Sequence, residues 1–261
     1  MPGTRALTLT TNGLLLARQR ESLVRAGLTG VNVSLDTLNP DHFREITGVD
    51  GLEAVKAGIR KAVEFRNLRI HLNCVPQEGT TEEDILQLAE LSIANPLSVR
   101  FIEMMPIGCG RKYRPVSNDT VLAVLRRKWK EISPVSRKSG GEGNDTSLHG
   151  PGGRASQGLG PAVYYAIPGA AGSIGFISPI SDRYCATCNR IRLMSDGRVK
   201  GCLSYASDLS VLPAFEIADE TERQQALVEI LKRGILGKPM AHTFEESSGA
   251  TEGHTMQEIG G

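Results

Sequence analysis

The chain has 261 residues, 40% of them hydrophobic, which is enough for a sizeable core in one large domain or two modest ones. Its 30 basic and 29 acidic residues leave a formal charge of +1, so it lacks the electrostatic footprint of a nucleic-acid binder or of a binder of anionic membranes. No apolar run approaches the roughly 20 residues needed to cross a bilayer, Met1 to Arg5 has no signal-peptide core, and five cysteines do not suggest a disulfide scaffold. These features predict a soluble intracellular protein in which clustered thiols serve a metal.

From about residue 6 to 132, short apolar strands alternate with helical stretches, the pattern of βα units in a parallel sheet. Strands are predicted over 6–11, 31–36, 69–75 and 99–104, and helices over 15–26, 52–65, 82–94 and 118–130. Thr80 followed by Glu83 predicts a capping box for the third helix. The second strand alternates strictly, putting Asn32, Ser34 and Asp36 on one face, and the third sets Arg69, His71 and Asn73 opposite Ile70, Leu72 and Cys74. An open or curled βα sheet around a polar ligand accounts for such a face, with the site at the strands' C-terminal ends. An antiparallel sheet with one solvated face is the alternative, disfavoured by the helical intervals.

Residues 137–161 are glycine-rich and predict a flexible loop without the strand-to-helix context of a phosphate-binding loop. Beyond it, 162–167 and 173–178 predict a hairpin that opens a second, smaller module. An amphipathic helix over 219–233 and a polar tail from Ser247 follow.

The strongest chemical signal is Cys185-Ala186-Thr187-Cys188, with Cys202 arriving after thirteen intervening residues. A hairpin turning at Asp196-Gly197 would return Cys202 to the CxxC loop. No fourth cysteine completes a closed zinc site, and His149, His242 and His254 are remote in sequence, so zinc and an open iron–sulfur cluster both fit. Arg190 and Arg192 point the same way on a strand and could cradle a phosphate or carboxylate beside the metal. A solvated basic face is the ordinary reading of such a pair, and adjacency to the thiols favours the cradle. Cys74 falls on an apolar strand face and predicts packing; Cys109, in a glycine-rich loop, predicts exposure.

The ordered motifs Leu9-Thr10-Thr11-Asn12-Gly13, Arg100-Phe101-Ile102-Glu103-Met104-Met105-Pro106, Phe176-Ile177-Ser178-Pro179, the segment from Cys185 to Leu193, and the terminal Ile259-Gly260-Gly261 span nearly the whole chain. Together they resemble the GTP 3′,8-cyclases, the radical S-adenosylmethionine enzymes that open molybdenum cofactor biosynthesis. The resemblance implies an α/β fold: the last four βα units of a partial (β/α)6 barrel over 1–136, a loop over 137–161, and an iron–sulfur module with a Gly-Gly tail over 162–261. It implies that Cys185, Cys188 and Cys202 hold a [4Fe–4S] cluster whose open iron meets the guanine of GTP. Thr10, His71, Arg190, Ile191 and Arg192 would contact GTP, and Ser34 and Met105 would contact S-adenosylmethionine. The implied reaction converts GTP to 3′,8-cyclo-7,8-dihydro-GTP, in the cytoplasm or in a mitochondrial matrix. A cyclic pyranopterin monophosphate synthase would act downstream, and a homodimer is compatible.

Two departures stand out. His71 occupies a position where the family carries a lysine, and the family's CxxxCxxC for a second cluster, with its Gly-Gly-Glu-Pro strand end, is absent from these 261 residues. The resemblance therefore implies the C-terminal three-quarters of a family member, inactive by itself. A non-catalytic iron–sulfur protein that binds GTP without radical chemistry is the alternative.

Overall fold

In the computed structural model, residues 3–135, 160–182, 184–242 and 244 are described. Contacts divide the chain into two units, Met1–Met104 with Pro115–Ser178, and Met105–Arg114 with Pro179–Gly261.

The first unit contains β1 (Thr8–Thr11), α1 (Leu16–Arg25), β2 (Gly30–Ser34), α2 (Pro40–Thr47), α3 (Leu52–Val63), β3 (Arg69–Cys74), α4 (Glu82–Ala94), β4 (Ser98–Ile102), α5 (Asn118–Lys128), β5 (Ser133–Pro134), β6 (Val163–Ala166) and β7 (Ser173–Ile177). They form one seven-stranded sheet in the order β1-β2-β3-β4-β7-β6-β5. β1, β2, β3, β4 and β7 run parallel, while β6 and β5 are antiparallel to their neighbours. The parallel register excludes the antiparallel alternative for the first four strands. Alternate residues Val31, Val33, Ile70, Leu72, Val99, Phe101, Ile174 and Phe176 enter one core with Val55, Ile59, Leu88, Val121 and Leu125 of the helices. Cys74, fully buried, belongs to that core, as its strand position predicts.

Three predictions shift. The capping box of α4 is Thr81 with Asp84, one residue beyond the expected pair: the Thr81 hydroxyl accepts from the Asp84 amide at 3.0 Å, and the Asp84 carboxylate accepts from the Thr81 amide at 2.9 Å. Asp84 wins because it is buried against the Thr37 hydroxyl and His42, while Thr80 accepts from the Gln77 amide instead. Burial alone pushes the Asp84 carboxyl up, but the Thr37 and Thr81 hydroxyls, the Thr81 amide and His42 together hold it below the usual range. The unpredicted helix α2 starts at Asn39, whose side chain accepts from the Asp41 and His42 amides; Pro40 follows, and the helix ends at left-handed Gly48.

The third shift is the module boundary. The expected hairpin at 162–178 forms, but β7 pairs in parallel with β4 and draws β6 into the first unit's sheet. The continuous part of the second unit therefore starts at Pro179 rather than 162, and it also takes Met105–Arg114. Entry into β7 is tight: the Gly172 amide donates to Ser92 O at 2.8 Å, and a Cβ on Gly172 would sit 2.0 Å from Leu97 O. Residues 136–159 and 245–261, and with them most of the predicted glycine-rich loop and the predicted tail with Gly260 and Gly261, lie outside the described residues.

The second unit contains β8 (Arg192–Leu193), β9 (Val199–Lys200) and α6 (Glu220–Leu236), the last capped by Asp219. The predicted β8–β9 hairpin forms, with Arg192 opposite Lys200. Gly197 closes its turn at φ +79, a conformation only glycine adopts cheaply, and its amide donates to Met194 O at 3.0 Å.

Candidate functional site

The first unit presents a polar row across four strands. Thr10, Asn32, His71 and Ser98 are in register from β1 to β4, and Ser34, Asn73, Arg100 and Gly175 form the next rung from β2 to β7. The Arg100 guanidinium joins them, donating to Asn73 Oδ1 at 2.9 Å and to Asn32 Oδ1 at 2.6 Å, while Asn32 Nδ2 donates to Thr10 Oγ1 at 3.3 Å. Its stem runs over Gly175, where a Cβ would come within 2.9 Å of Arg100 Cγ. Thr10 and Ser34 are exposed on this face. Asp36 has left it: beyond the end of β2, its carboxylate accepts from the Val75 amide at 2.8 Å and ties the end of β2 to that of β3.

His71 is the residue whose chemistry changes most. It is 6% exposed, and burial, reinforced by Arg100 and Arg69, pushes its imidazole down to about 3. The expectation that it is cationic part of the time near neutral pH is therefore corrected: it is neutral there. Folded, it takes no proton between about pH 6.5 and 3, whereas the unfolded chain does, so its contribution to stability is complete above the unfolded value and is lost as pH falls. In melting curves between pH 7.5 and 4.5 the wild type is expected to lose stability relative to His71→Leu as pH falls; a difference that stays constant with pH would contradict a buried neutral imidazole.

In the second unit, Cys185 lies in a 3-10 turn, Tyr184–Thr187, and the Cys188 amide donates to Cys185 O at 3.1 Å. Cys185, Cys188 and Cys202 line one cavity with Arg190, Arg192 and Met105, and Tyr184, Lys238, His242 and Phe244 share its wall. All three thiols are free and half-buried, whereas Cys109 is exposed, as its loop position predicts. Among the described residues no group of three His, Cys, Asp or Glu is arranged to hold a metal ion, so the thiols share a wall without converging on one point. The donor set nonetheless suits a soft metal: three thiols on one cavity, interleaved with cations. Burial and then Arg190 push the Arg192 guanidinium below its ordinary value, with Cys188 and Cys202 opposing. Burial pushes the Tyr184 phenol up, leaving a neutral hydroxyl at the wall.

Ile191 is 37% exposed and does not line this cavity; its Cδ1 lies 3.4 Å from where a Cβ on Gly234 would sit. Ser34 belongs to the first unit and Met105 to the second, where Met105 packs against Ile107 and Met194.

Sequence reasoning missed Arg100, Lys238 and His242. Strand alternation could have found Arg100, opposite buried Phe101. His242, remote in sequence, reaches the cavity, but its Nε2 donates to Pro179 O at 2.6 Å and its ring stacks on Phe244 at 4.2 Å. Lys238 had no local signal; its Nζ donates to Cys188 O and to Arg190 O, the latter at 3.0 Å.

Two protein families match the chain, Radical SAM superfamily over residues 2–92 and Molybdenum Cofactor Synthesis C over 153–244. A GTP 3′,8-cyclase of Clostridium perfringens is 36% identical over 263 residues, covering 100% of this chain and 74% of that protein. A GTP 3′,8-cyclase of Alkaliphilus oremlandii is 34% identical over 262 residues, covering 99% and 73%. Molybdenum cofactor biosynthesis protein 1 of Drosophila melanogaster is 35% identical over 245 residues, covering 93% of this chain and 39% of that protein.

Proposed function

The chain belongs to the GTP 3′,8-cyclase family, and from that membership we propose that its second unit is the substrate end of the enzyme, holding GTP between three thiols and two arginines. The first unit is read as the last four βα units of a radical S-adenosylmethionine barrel, and the second as the iron–sulfur module. The observation that carries the reading is the single cavity lined by Cys185, Cys188, Cys202, Arg190 and Arg192.

Cys185, Cys188 and Cys202 would hold a [4Fe–4S] cluster, which when bound supplies an open, Lewis-acidic iron for a ring nitrogen or oxygen of guanine. The protein's own part is to bind and orient. Arg190 and Arg192, flanking Ile191, offer forked guanidinium donors to phosphate oxygens, and partial burial of Arg192 strengthens its hydrogen bonds relative to water. Ile191, between them in sequence, is proposed to contact GTP with them. In the first unit, Thr10 and His71 are proposed to contact GTP, Thr10 through its hydroxyl and His71 through a neutral imidazole. Arg100 then supplies the cation that His71 does not. Ser34 and Met105 are proposed to contact S-adenosylmethionine.

The family's reaction on GTP, giving 3′,8-cyclo-7,8-dihydro-GTP, starts from reductive cleavage of S-adenosylmethionine. The ligands for that step, a CxxxCxxC, are not among these 261 residues, so no radical step is assigned to them. A second reading is GTP binding without radical chemistry. Among the described residues no helix is long and apolar enough to cross a membrane. Several relatives that match over most of their length are bacterial, which supports a cytoplasmic site of action. A homodimer and a downstream cyclic pyranopterin monophosphate synthase complete the proposal.

The test is GTP affinity by equilibrium dialysis after anaerobic reconstitution. Arg192→Ala removes a half-buried charge-assisted pair and is expected to weaken binding by about 1.5–3 kcal/mol, tenfold or more. Unchanged affinity would remove the arginine cradle from the site.

A further inference from the structure

We propose that Lys238 is a positioning residue for the thiol–arginine loop, fixing the backbone that carries Cys188 and Arg190. The proposal rests on the nucleotide-site reading above for its functional consequence, though not for its geometry.

The stretch from Cys188 to Ile191 lies between the 3-10 turn and β8 and belongs to neither helix nor strand. A loop of this kind has no ladder to engage its carbonyls, and each peptide plane is free to turn unless something else holds it. Lys238 supplies that hold. Its Nζ donates to Cys188 O and to Arg190 O, so one ammonium grips the carbonyls on both sides of Asn189. Fixing those two planes fixes the departure directions of the second thiol and the first arginine together.

The anchor at the other end is rigid. Lys238 directly follows Gly237, the cap of α6, and the Gly237 and Lys238 amides donate to Arg233 O at 2.9 Å and Ile235 O at 3.3 Å. Between anchor and loop, the lysine stem crosses beside Gly201, next to the third thiol. A Cβ on Gly201 would lie 2.8 Å from Lys238 Cγ and 2.3 Å from Gly234 O, so only glycine leaves that lane open. The residue preceding Cys202 is thereby shaped around the lysine that holds Cys188. A compact ammonium with three donors suits two carbonyls; because its donors face the main chain, Lys238 positions the loop rather than gripping phosphate.

Hydrogen exchange on the iron-free full chain tests this without requiring cluster or nucleotide. In Lys238→Met, amides of 185–192 are expected to exchange about tenfold faster or more, while those of β2 and β3 stay at wild-type rates; Lys238→Arg recovers most of the protection. After reconstitution, at equal iron content, Lys238→Met is expected to weaken GTP binding about tenfold, with Lys238→Arg intermediate. Unchanged exchange at 185–192, or an equal rise throughout the chain, overturns the proposal. If the wild type binds no GTP, the nucleotide reading falls, and the exchange comparison still decides the role of Lys238.

Discussion

Replacing any one of Cys185, Cys188 and Cys202 with alanine is expected to abolish iron retention. After anaerobic reconstitution the wild type should hold about four irons per chain and each variant less than about one, whereas Cys109→Ser should match the wild type. The asymmetry follows from placement. The three thiols line one cavity with Arg190 and Arg192, while Cys109 is exposed and outside that wall. A cluster held by three thiolates has no spare cysteine to replace a lost one. Iron content by colorimetry with the visible absorption of the cluster checks it. Stable zinc in place of iron would turn the unit into a structural metal module.

The second large effect is expected far from the thiols. Gly172→Ala should destabilise the chain by about 3 kcal/mol or more, enough to prevent folding in a marginal domain. A Cβ there would lie 2.0 Å from Leu97 O, 2.8 Å from Asn95 O and 3.0 Å from Ser92 O. All three are backbone atoms at the joint between α4 and β4, so no side chain can swing away. The same joint sets the pairing of Ser173 with Ser98, whose hydroxyls meet at 2.9 Å, and with it the register of β7 on β4. Gly169 is the control: its φ of +79 is strained for alanine, but no atom lies within 4 Å of the added Cβ, so Gly169→Ala should cost only about 1–2 kcal/mol. Urea denaturation distinguishes them; a Gly172→Ala protein within about 1 kcal/mol of the wild type would contradict the packing at this joint.

Alternating hydrophobicity made β1 to β4 and their helices legible, because each strand buries one face and each helix a single stripe. The polar row was legible for the same reason: Asn32, His71 and Asn73 fall in one phase. What pattern alone cannot carry is competition between partners. Thr80 and Thr81 are equally good caps locally, and burial of Asp84 against Thr37 and His42 selects the second. The β6–β7 hairpin was visible, but its allegiance to β4 is a long-range pairing that leaves no mark in its own residues. The state of His71 likewise depends on its burial and on Arg100 of β4, neither of which spacing within β3 reveals. In the second unit the CxxC spacing exposed the thiols, whereas Lys238 and His242 arrive from beyond α6 and are tied to the loop only in three dimensions.

The thiols and arginines of the second unit are read as one site for a cluster and a nucleotide. Electron paramagnetic resonance of the reconstituted, reduced chain titrated with GTP tests that most directly. The expected result is a cluster signal that shifts on GTP addition, saturates at about one GTP per chain, and fails to shift when Arg190 and Arg192 are both alanine. A cluster signal unmoved by GTP that dialysis shows to be bound would place the nucleotide elsewhere and contradict the shared site.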